Sequence, residues 1–290
     1  MERCSMENRE LQVVVQAVGD LPPMPIVAVK VLEQLQKPDT TAEKLAGIIS
    51  SDQAVSARVL KIANSSFYSL RRKVTTLEHA IVILGEKTLK SLVLAASLKG
   101  INKSFGLMEK MLWEDSLGCA IGSRMTAVWL HGADPEEAFV AGLFRHIGRM
   151  VLNNHDPEAF RKVVEAVYNG EGSEEELETL FFPYGHAEVG EAVLNKWNFS
   201  EDLTQVARWH HDLTGVDPVE SPERYRLVAT VQFADAMVSR LGIGRREPDE
   251  SVDLLSLPSA SALGLDPDQT GQLVEEFRSF FEKERSTFLG

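Results

Sequence analysis

Apolar residues recur at helical spacing along almost the whole chain, and polar, Gly- or Pro-containing segments separate the helical stretches. Alternation of apolar and polar residues, the pattern of a half-buried strand, is absent from the sequence. The pattern therefore predicts an all-α protein. The clearest predicted helices cover residues 10–18, 26–36, 53–68, 88–98, 108–130, 138–148 and 269–283.

Side chains that cap helix N-termini stand just before several of these segments. Asp134 and Asp156 each precede a proline, a residue that suits the first position of a helix, and Asp52 precedes residues 53–68. Three Thr or Ser residues followed by Glu three positions later predict capping boxes. These pairs are Thr40 with Glu43, Thr75 with Glu78, and Ser173 with Glu176.

The C-terminal region differs in composition from the helical segments before it. Residues 254–268 are rich in Ser, Pro and Gly, which predicts an irregular connector. The helix that follows places Leu273, Phe277, Phe280 and Phe281 on one side. Such a stripe fits a core face and a homodimer face equally well.

Charge and composition narrow the possible binding partners and the cellular location. The chain has 43 acidic and 30 basic residues, a formal net charge of −13, which disfavours direct binding to nucleic acid or to an anionic membrane. No run approaches the ~18 apolar residues of a membrane helix, and the polar N-terminus shows no secretory signal. Cys4 and Cys119 share no metal-ligand spacing. We therefore expect a cytoplasmic protein with reduced thiols.

The first hundred residues carry a specific resemblance. The stretch LPPMPIVAVKVLEQL, followed by IISSDQAVSARVLKIANSSFYSLRRKVTTLEHAIVILGEKTLKSLVLAASL, resembles the HDOD domain of bacterial signalling proteins. That domain is an output module related to the HD metal-dependent phosphohydrolases. The resemblance continues through residues 113–116, 138–148 and 186–190. It implies an HD-domain-like multi-helix bundle with an additional N-terminal helical subdomain.

The resemblance also implies a division of the chain into three parts. Residues 8–105 would form the N-terminal helical part, with a turn at residues 102–106. Residues 106–245 would form a degenerate HD-like part. Residues 246–290 would hold the connector and a C-terminal helix packed on the bundle.

The segment AFVAGLFRHIG, residues 138–148, resembles the helix that carries the His-Asp pair of the HD hydrolases, usually written L-L-H-D-I-G. Here the two chemical positions are Arg145 and His146. The resemblance to the HD-GYP phosphodiesterases implies that their other metal ligands correspond to positions in this chain whose residues can bind a metal. These positions are His186, His210, His211 and Asp235, with Asp115 at the place of an additional early His.

The substitution of Arg145 and His146 for His-Asp changes the chemistry of the expected site. A guanidinium is always charged and cannot ligate a metal, and a two-metal site needs a carboxylate that bridges both ions. An ion pair of Arg145 with Asp235 or Asp115 would replace the metal and leave a cavity lined by histidines. We expect no cofactor. The open alternative is a single Fe, Ni or Zn ion held by residues from the set His146, His186, His210, His211 and Asp235.

The sequence also predicts how the side chains of the neighbours His210 and His211 are directed. Adjacent residues on one helix point in different directions. The sequence therefore predicts that one of the two lies at the rim of the site or in solvent.

These observations favour a non-catalytic signal-transduction module that acts by contact with other signalling proteins, with no catalytic residue assigned. One alternative is a residual metal-dependent phosphohydrolase, such as a cyclic-dinucleotide phosphodiesterase. Another is a sensor in which Arg145 and the histidines bind a nucleotide or another small phosphate-containing ligand.

Overall fold

The computed structural model describes residues 21–68, 73–98, 101 and 106–289, and for residues 288 and 289 it describes the backbone only. This described part is helical and contains no strand, which confirms the all-α prediction. The predicted helix at residues 10–18, Cys4 and most of the predicted turn at residues 102–106 lie outside it. The helices are α1 (Ile26–Leu35), α2 (Ala42–Ser50), α3 (Gln53–Ala63), α4 (Leu77–Leu98), α5 (Leu107–Leu130), α6 (Pro135–Phe144), α7 (Ile147–His155), α8 (Pro157–Tyr168), α9 (Glu174–Phe181), α10 (His186–Lys196), α11 (Glu201–Trp209), α12 (Pro222–Arg240), α13 (Pro258–Leu263) and α14 (Pro267–Leu289).

Most predicted helix starts are capped as expected. The carboxylates of Asp52, Asp134 and Asp156 each accept hydrogen bonds from two backbone N–H groups of the helix that follows. Ser173 and Glu176 form the predicted capping box of α9. At the other two predicted boxes the cap lies one residue later than expected. Thr41 caps α2, and the hydroxyl of Thr76 accepts from the His79 N–H at the start of α4.

Gly85 interrupts α4 with φ 79°, a left-handed conformation that favours glycine. The second half of α4 is almost entirely buried, as its apolar sequence predicts.

The prediction of one continuous helix over residues 138–148 is wrong, because the helix breaks at the position of the site residues. The chain leaves helical geometry at His146 (φ −102°, ψ 21°), so that α6 ends at Phe144 and α7 begins at Ile147. Packing against α10 accompanies the break. A Cβ on Gly148 would lie 2.0 Å from the carbonyl oxygen of His186, so only glycine allows α7 to approach this closely.

The predicted irregular connector is also partly wrong. Residues Leu254–Ser256 form a 3₁₀ turn and Pro258–Leu263 form α13. Proline at the first position starts this short helix, and Gly264 ends it with φ 68°.

The buried apolar side chains of α1–α4 and of α5–α14 belong to one contiguous core. Within it, α5 packs against α6, α12 and α14. Leu273, Phe277 and Phe281 of α14 are buried in this core, so the aromatic stripe serves as a core face. None of the helices in the described ranges has the length and apolar character required to span a bilayer.

Candidate functional site

Five elements converge on one buried centre. The break between α6 and α7 carries Arg145 and His146, while α5 contributes Asp115 and α12 contributes Asp235. His186 is the first residue of α10, directly after the helix-breaking segment PYG, and His210 and His211 follow the last residue of α11. All seven sequence-predicted site residues therefore meet at the same place.

Arg145 lies at the centre of the carboxylate half of this site, and its side chain is fully buried. Its Nε donates to Asp235 Oδ1 at 2.7 Å, and Nη2 lies 2.5 Å from the same oxygen. Nη2 also donates to Asp115 Oδ2 at 2.9 Å. Nη1 donates to the backbone carbonyls of Gly142 and Asp115, at 3.2 and 3.4 Å. Both of the ion pairs weighed from the sequence form, and every N–H of the guanidinium faces a protein acceptor.

The charges of this cluster stabilise one another. Burial opposes the charge on Arg145, but Asp115 and Asp235 outweigh it and raise the pKa of the guanidinium. Burial likewise favours a neutral Asp235, yet Arg145 lowers the pKa of that carboxyl well below its usual range. Arg145 therefore stays cationic and Asp235 stays anionic.

In the histidine half of the site, the Nδ1 atom of each of the four rings lies beside a carboxylate or carbonyl oxygen. The Nδ1 atom of His146 lies 2.9 Å from Asp115 Oδ2, and that of His186 lies 2.7 Å from Glu178 Oε2. The Nδ1 atoms of His210 and His211 lie 3.0 Å from the Ala207 carbonyl and from Glu175 Oε1. Carboxylates and carbonyls only accept hydrogen bonds, so each Nδ1 carries the proton and each neutral ring presents a lone pair at Nε2.

The Nε2 atoms face one another. His186 Nε2 lies 3.4 Å from His210 Nε2 and 3.0 Å from His211 Nε2, and the buried Nε2 of His146 has no hydrogen-bond partner. His211 is exposed at the rim, as the sequence predicts, but both neighbours reach His186 because α11 ends at Trp209. The expectation that they cannot face the same way is wrong, since neither lies within the helix.

The pKa shifts of the three buried rings differ in direction. Burial, reinforced by the positive charge of Arg145, lowers the pKa of His146 well below its ordinary value. Burial and the other histidines lower the pKa of His210 in the same way. Burial also opposes a charge on His186, but Glu178 outweighs it and raises the pKa of that imidazole. Without a metal, a proton on His186 Nε2 would bridge it to His211.

Sequence reasoning missed the carboxylates that orient these rings. Glu178 is fully buried one turn before the end of α9, and Glu175 lies in its first turn. On the same helix, Glu174 Oε1 pairs with Arg149 Nη2 at 2.6 Å. The available signal was weak: a run of glutamates at a helix start is typical of a solvated N-terminal turn. Only a carboxylate at position 178, beside the buried Leu177, departs from that pattern.

The four histidines form one group that could hold a metal ion, and Asp115, His146 and Asp235 form a second. The candidate ligand atoms of the four histidines all lie within 4.8 Å of one another. Tetrahedral coordination at a Zn–N distance of about 2.05 Å separates the ligand atoms by about 3.4 Å. Nδ1–H groups held by carboxylates or carbonyls are also typical of metal-binding histidines. A second ion would need Asp115 and Asp235, both of which are bound to the cationic Arg145.

Comparison with known proteins agrees with this fold. A crystal structure of an HDOD domain protein from Geobacter sulfurreducens is 26% identical, with a TM-score of 0.78 and 98% of each chain covered. That of a candidate phosphohydrolase from Shewanella amazonensis SB2B is 25% identical, with a TM-score of 0.70 and 95% of each chain covered.

A relative from Treponema pallidum (strain Nichols), which bears the name uncharacterized protein, is 26% identical over 227 residues, or 76% of this chain. These residues are 42% of that protein, so the chain spans less than half of its length. The family model of the HDOD domain matches residues 21–213, the larger part of the chain. The chain belongs to the HDOD domain family.

Proposed function

We propose that this chain is a regulatory module of signal transduction that acts by contact with other proteins and does not hydrolyse phosphate esters. The observation that carries the proposal is Arg145. Its guanidinium is buried where the resemblance to HD hydrolases places a metal ligand, and it holds both Asp115 and Asp235. A positive charge there repels a cation, and the neighbouring His146 supplies no carboxylate to bridge two ions.

Metal content and turnover test this proposal together. The protein is expressed in metal-supplemented medium and compared with the double variant Arg145→His/His146→Asp, which restores the pair typical of the hydrolases. We expect wild type to bind no more than one metal ion per chain and to leave cyclic dinucleotides and nucleotides intact. The double variant is expected to bind a second ion.

The competing function is that of a residual metal-dependent phosphohydrolase, in line with the description of the Shewanella relative. Clear turnover of a cyclic dinucleotide by metal-loaded wild type, lost in His186→Ala, would overturn the proposal. Turnover retained by that variant would point to a contaminating hydrolase, so the variant serves as the control.

A second candidate function, metal sensing, rests on the four converging Nε2 atoms. A bound transition-metal ion would link the break between α6 and α7, the start of α10 and the segment after α11. Imidazole ligands suit Fe, Ni or Zn. Titration of metal-free protein with each ion, followed by thermal unfolding, tests this role, and His211→Ala removes the ligand at the rim. An unchanged melting temperature of wild type with every ion contradicts it.

A further inference from the structure

The histidine centre reaches solvent at one of its four rings. Three rings are buried, with exposed fractions of 2% for His146, 1% for His186 and 0% for His210. The side chain of His211 keeps 29% of its surface exposed, and the Glu175 side chain that pairs with it keeps 46%. The His211 ring therefore lies between solvent and the point at which the four Nε2 atoms converge.

The backbone on either side of the His211 ring is fixed. The His211 carbonyl oxygen accepts a hydrogen bond from Gln232 Nε2 at 3.1 Å, which holds the main chain against α12. The next residue, Asp212, accepts from the N–H and the hydroxyl of Thr214 and so anchors the 3₁₀ turn Leu213–Gly215. The ring can therefore rotate about its side-chain bonds while the backbone stays in place.

The His211 ring is held by Glu175, through Nδ1 and Oε1 at a distance of 3.0 Å. This contact lies at the surface, where an ion pair competes with water and breaks readily. The matching contact of His186 is buried, because the Glu178 side chain that holds that ring has no exposed surface. The contact at Glu175 therefore opens at a lower cost than the one at Glu178.

Rotation of the His211 ring would uncover the centre. Its Nε2 lies 3.0 Å from His186 Nε2, and its ring centroid lies 4.0 Å from that of His210. With the His211 ring turned outward, these two inner rings are open to an incoming ion. The Glu175 carboxylate, which attracts cations, lies at the mouth.

We propose that the His211 ring, held closed by Glu175, is the gate through which a metal ion enters and leaves the histidine centre. The proposal rests on the metal-sensing function and adds to it the control of exchange. A gate slows entry and release alike, so its removal raises both rates and changes the equilibrium affinity less than the release rate. A residue that only orients a ligand differs, because its loss speeds release without speeding entry.

Stopped-flow kinetics with Zn²⁺ as the only added metal test the gate. Entry is followed by mixing metal-free protein with Zn²⁺ and trapping the unbound ion with a chromophoric chelator after a set delay. Release is followed by mixing the loaded protein with that chelator, at concentrations that no longer affect the rate. Salt at about 0.5 M screens long-range attraction of the ion, so that the rates report access to the centre. We expect Glu175→Ala to release Zn²⁺ about 10-fold faster or more, and also to take it up faster than wild type.

Two further variants separate the gate from the effect of charge. Glu176→Gln removes one negative charge from the same helix turn, at an exposed side chain that contacts the Ser173 backbone and no histidine. It is expected to change each rate less than about 2-fold. Glu175→Gln keeps an acceptor for the His211 Nδ1–H, and its rates should lie between those of wild type and Glu175→Ala.

The outcomes distinguish this proposal from the function on which it rests. Failure of wild type to bind Zn²⁺ would overturn the gate, and failure to bind Fe and Ni as well would overturn metal sensing itself. Faster release with unchanged entry in Glu175→Ala would overturn the gate alone and leave Glu175 as a positioning residue. Unchanged rates, or equal effects of Glu175→Ala and Glu176→Gln, would overturn the gate as well.

Discussion

A buried arginine between two carboxylates is costly to desolvate and costly to disrupt. Replacing such a cluster by apolar groups can be neutral, whereas removing one partner leaves a buried charge uncompensated. Arg145 neutralises both Asp115 and Asp235. Among the described residues, the only other ion-pair partner of either carboxylate is the titratable His146, which lies beside Asp115. The fold therefore depends on this one guanidinium.

Substitution of Arg145 by Met is expected to lower the free energy of unfolding by about 3–5 kcal/mol, the cost of breaking a buried ion pair from one side. Urea unfolding at neutral pH measures the loss. Arg161→Met is the matched control, since Arg161 pairs with Glu158 and Glu165 in solvent and should contribute little to stability. Equal effects of the two variants would contradict the assigned role.

Glu178 is a positioning residue for His186. Glu178→Gln removes the charge that holds the Nδ1 proton, and we expect the affinity for a transition-metal ion to fall about 10- to 100-fold. Competition with a chromophoric chelator measures the change. Glu176→Gln is the control, because Glu176 is exposed on the same helix and contacts the Ser173 backbone instead. An unchanged affinity in both variants would show that the carboxylate does not orient a ligand.

At the scale of elements, the site depends on how closely α7 approaches the first turn of α10. The two helices meet at Gly148, against the carbonyl of His186 and the N–H of Gly190. Backbone atoms cannot move aside as the end of a flexible side chain can. A methyl group at this position would move α7, which directly follows His146, away from α10, which begins with His186.

Gly148→Ala is therefore expected to destabilise the protein by about 1–3 kcal/mol and to weaken metal binding with it. Gly47→Ala provides the contrast, since Gly47 is exposed inside α2 and a Cβ there meets nothing within 4 Å. That variant should gain up to about 1 kcal/mol from helix propensity. Thermal or urea unfolding compares them, and a stabilising Gly148→Ala would contradict the close packing.

At the scale of the whole molecule, an acidic chain of net charge −13 encloses a centre with Arg145 and three buried histidines, His146, His186 and His210. Burial keeps His146 and His210 neutral, because the pKa of each lies well below its ordinary value. The same two side chains have a pKa of about 6.5 in an unfolded chain. The unfolded state therefore binds more protons than the folded state below that pH.

The free energy of unfolding of the metal-free protein should consequently fall as the pH is lowered from about 6.5 to about 5, by up to ~2.7 kcal/mol per pH unit for two protons. His186 has the opposite sign: its raised pKa adds stability below about 6.5 that is lost as the pH rises through the raised value. Urea unfolding across this range measures the slope. A flat or inverted profile would contradict neutral His146 and His210.

The local pattern of the sequence determined the helices. Two helices start at an Asp-Pro pair, Asp134 with Pro135 and Asp156 with Pro157. The aspartate accepts hydrogen bonds from the first turn, and the proline has no N–H that would need a partner there, so both effects act within one turn. The residues brought to the site also follow from the sequence, through resemblance to a metal-binding family. Errors arose where tertiary contact overrides local preference, as at the break after Phe144.

The partners of each site residue were decided by the tertiary structure. Arg145 and Asp235 are 90 positions apart, and nothing in their local patterns indicates that one guanidinium binds two carboxylates. Glu178 was missed for the same reason, since its contact with His186 joins two different helices. Local sequence fixes which segments are helical because capping and periodicity act over a few residues, whereas the charge balance of the centre depends on packing between distant helices.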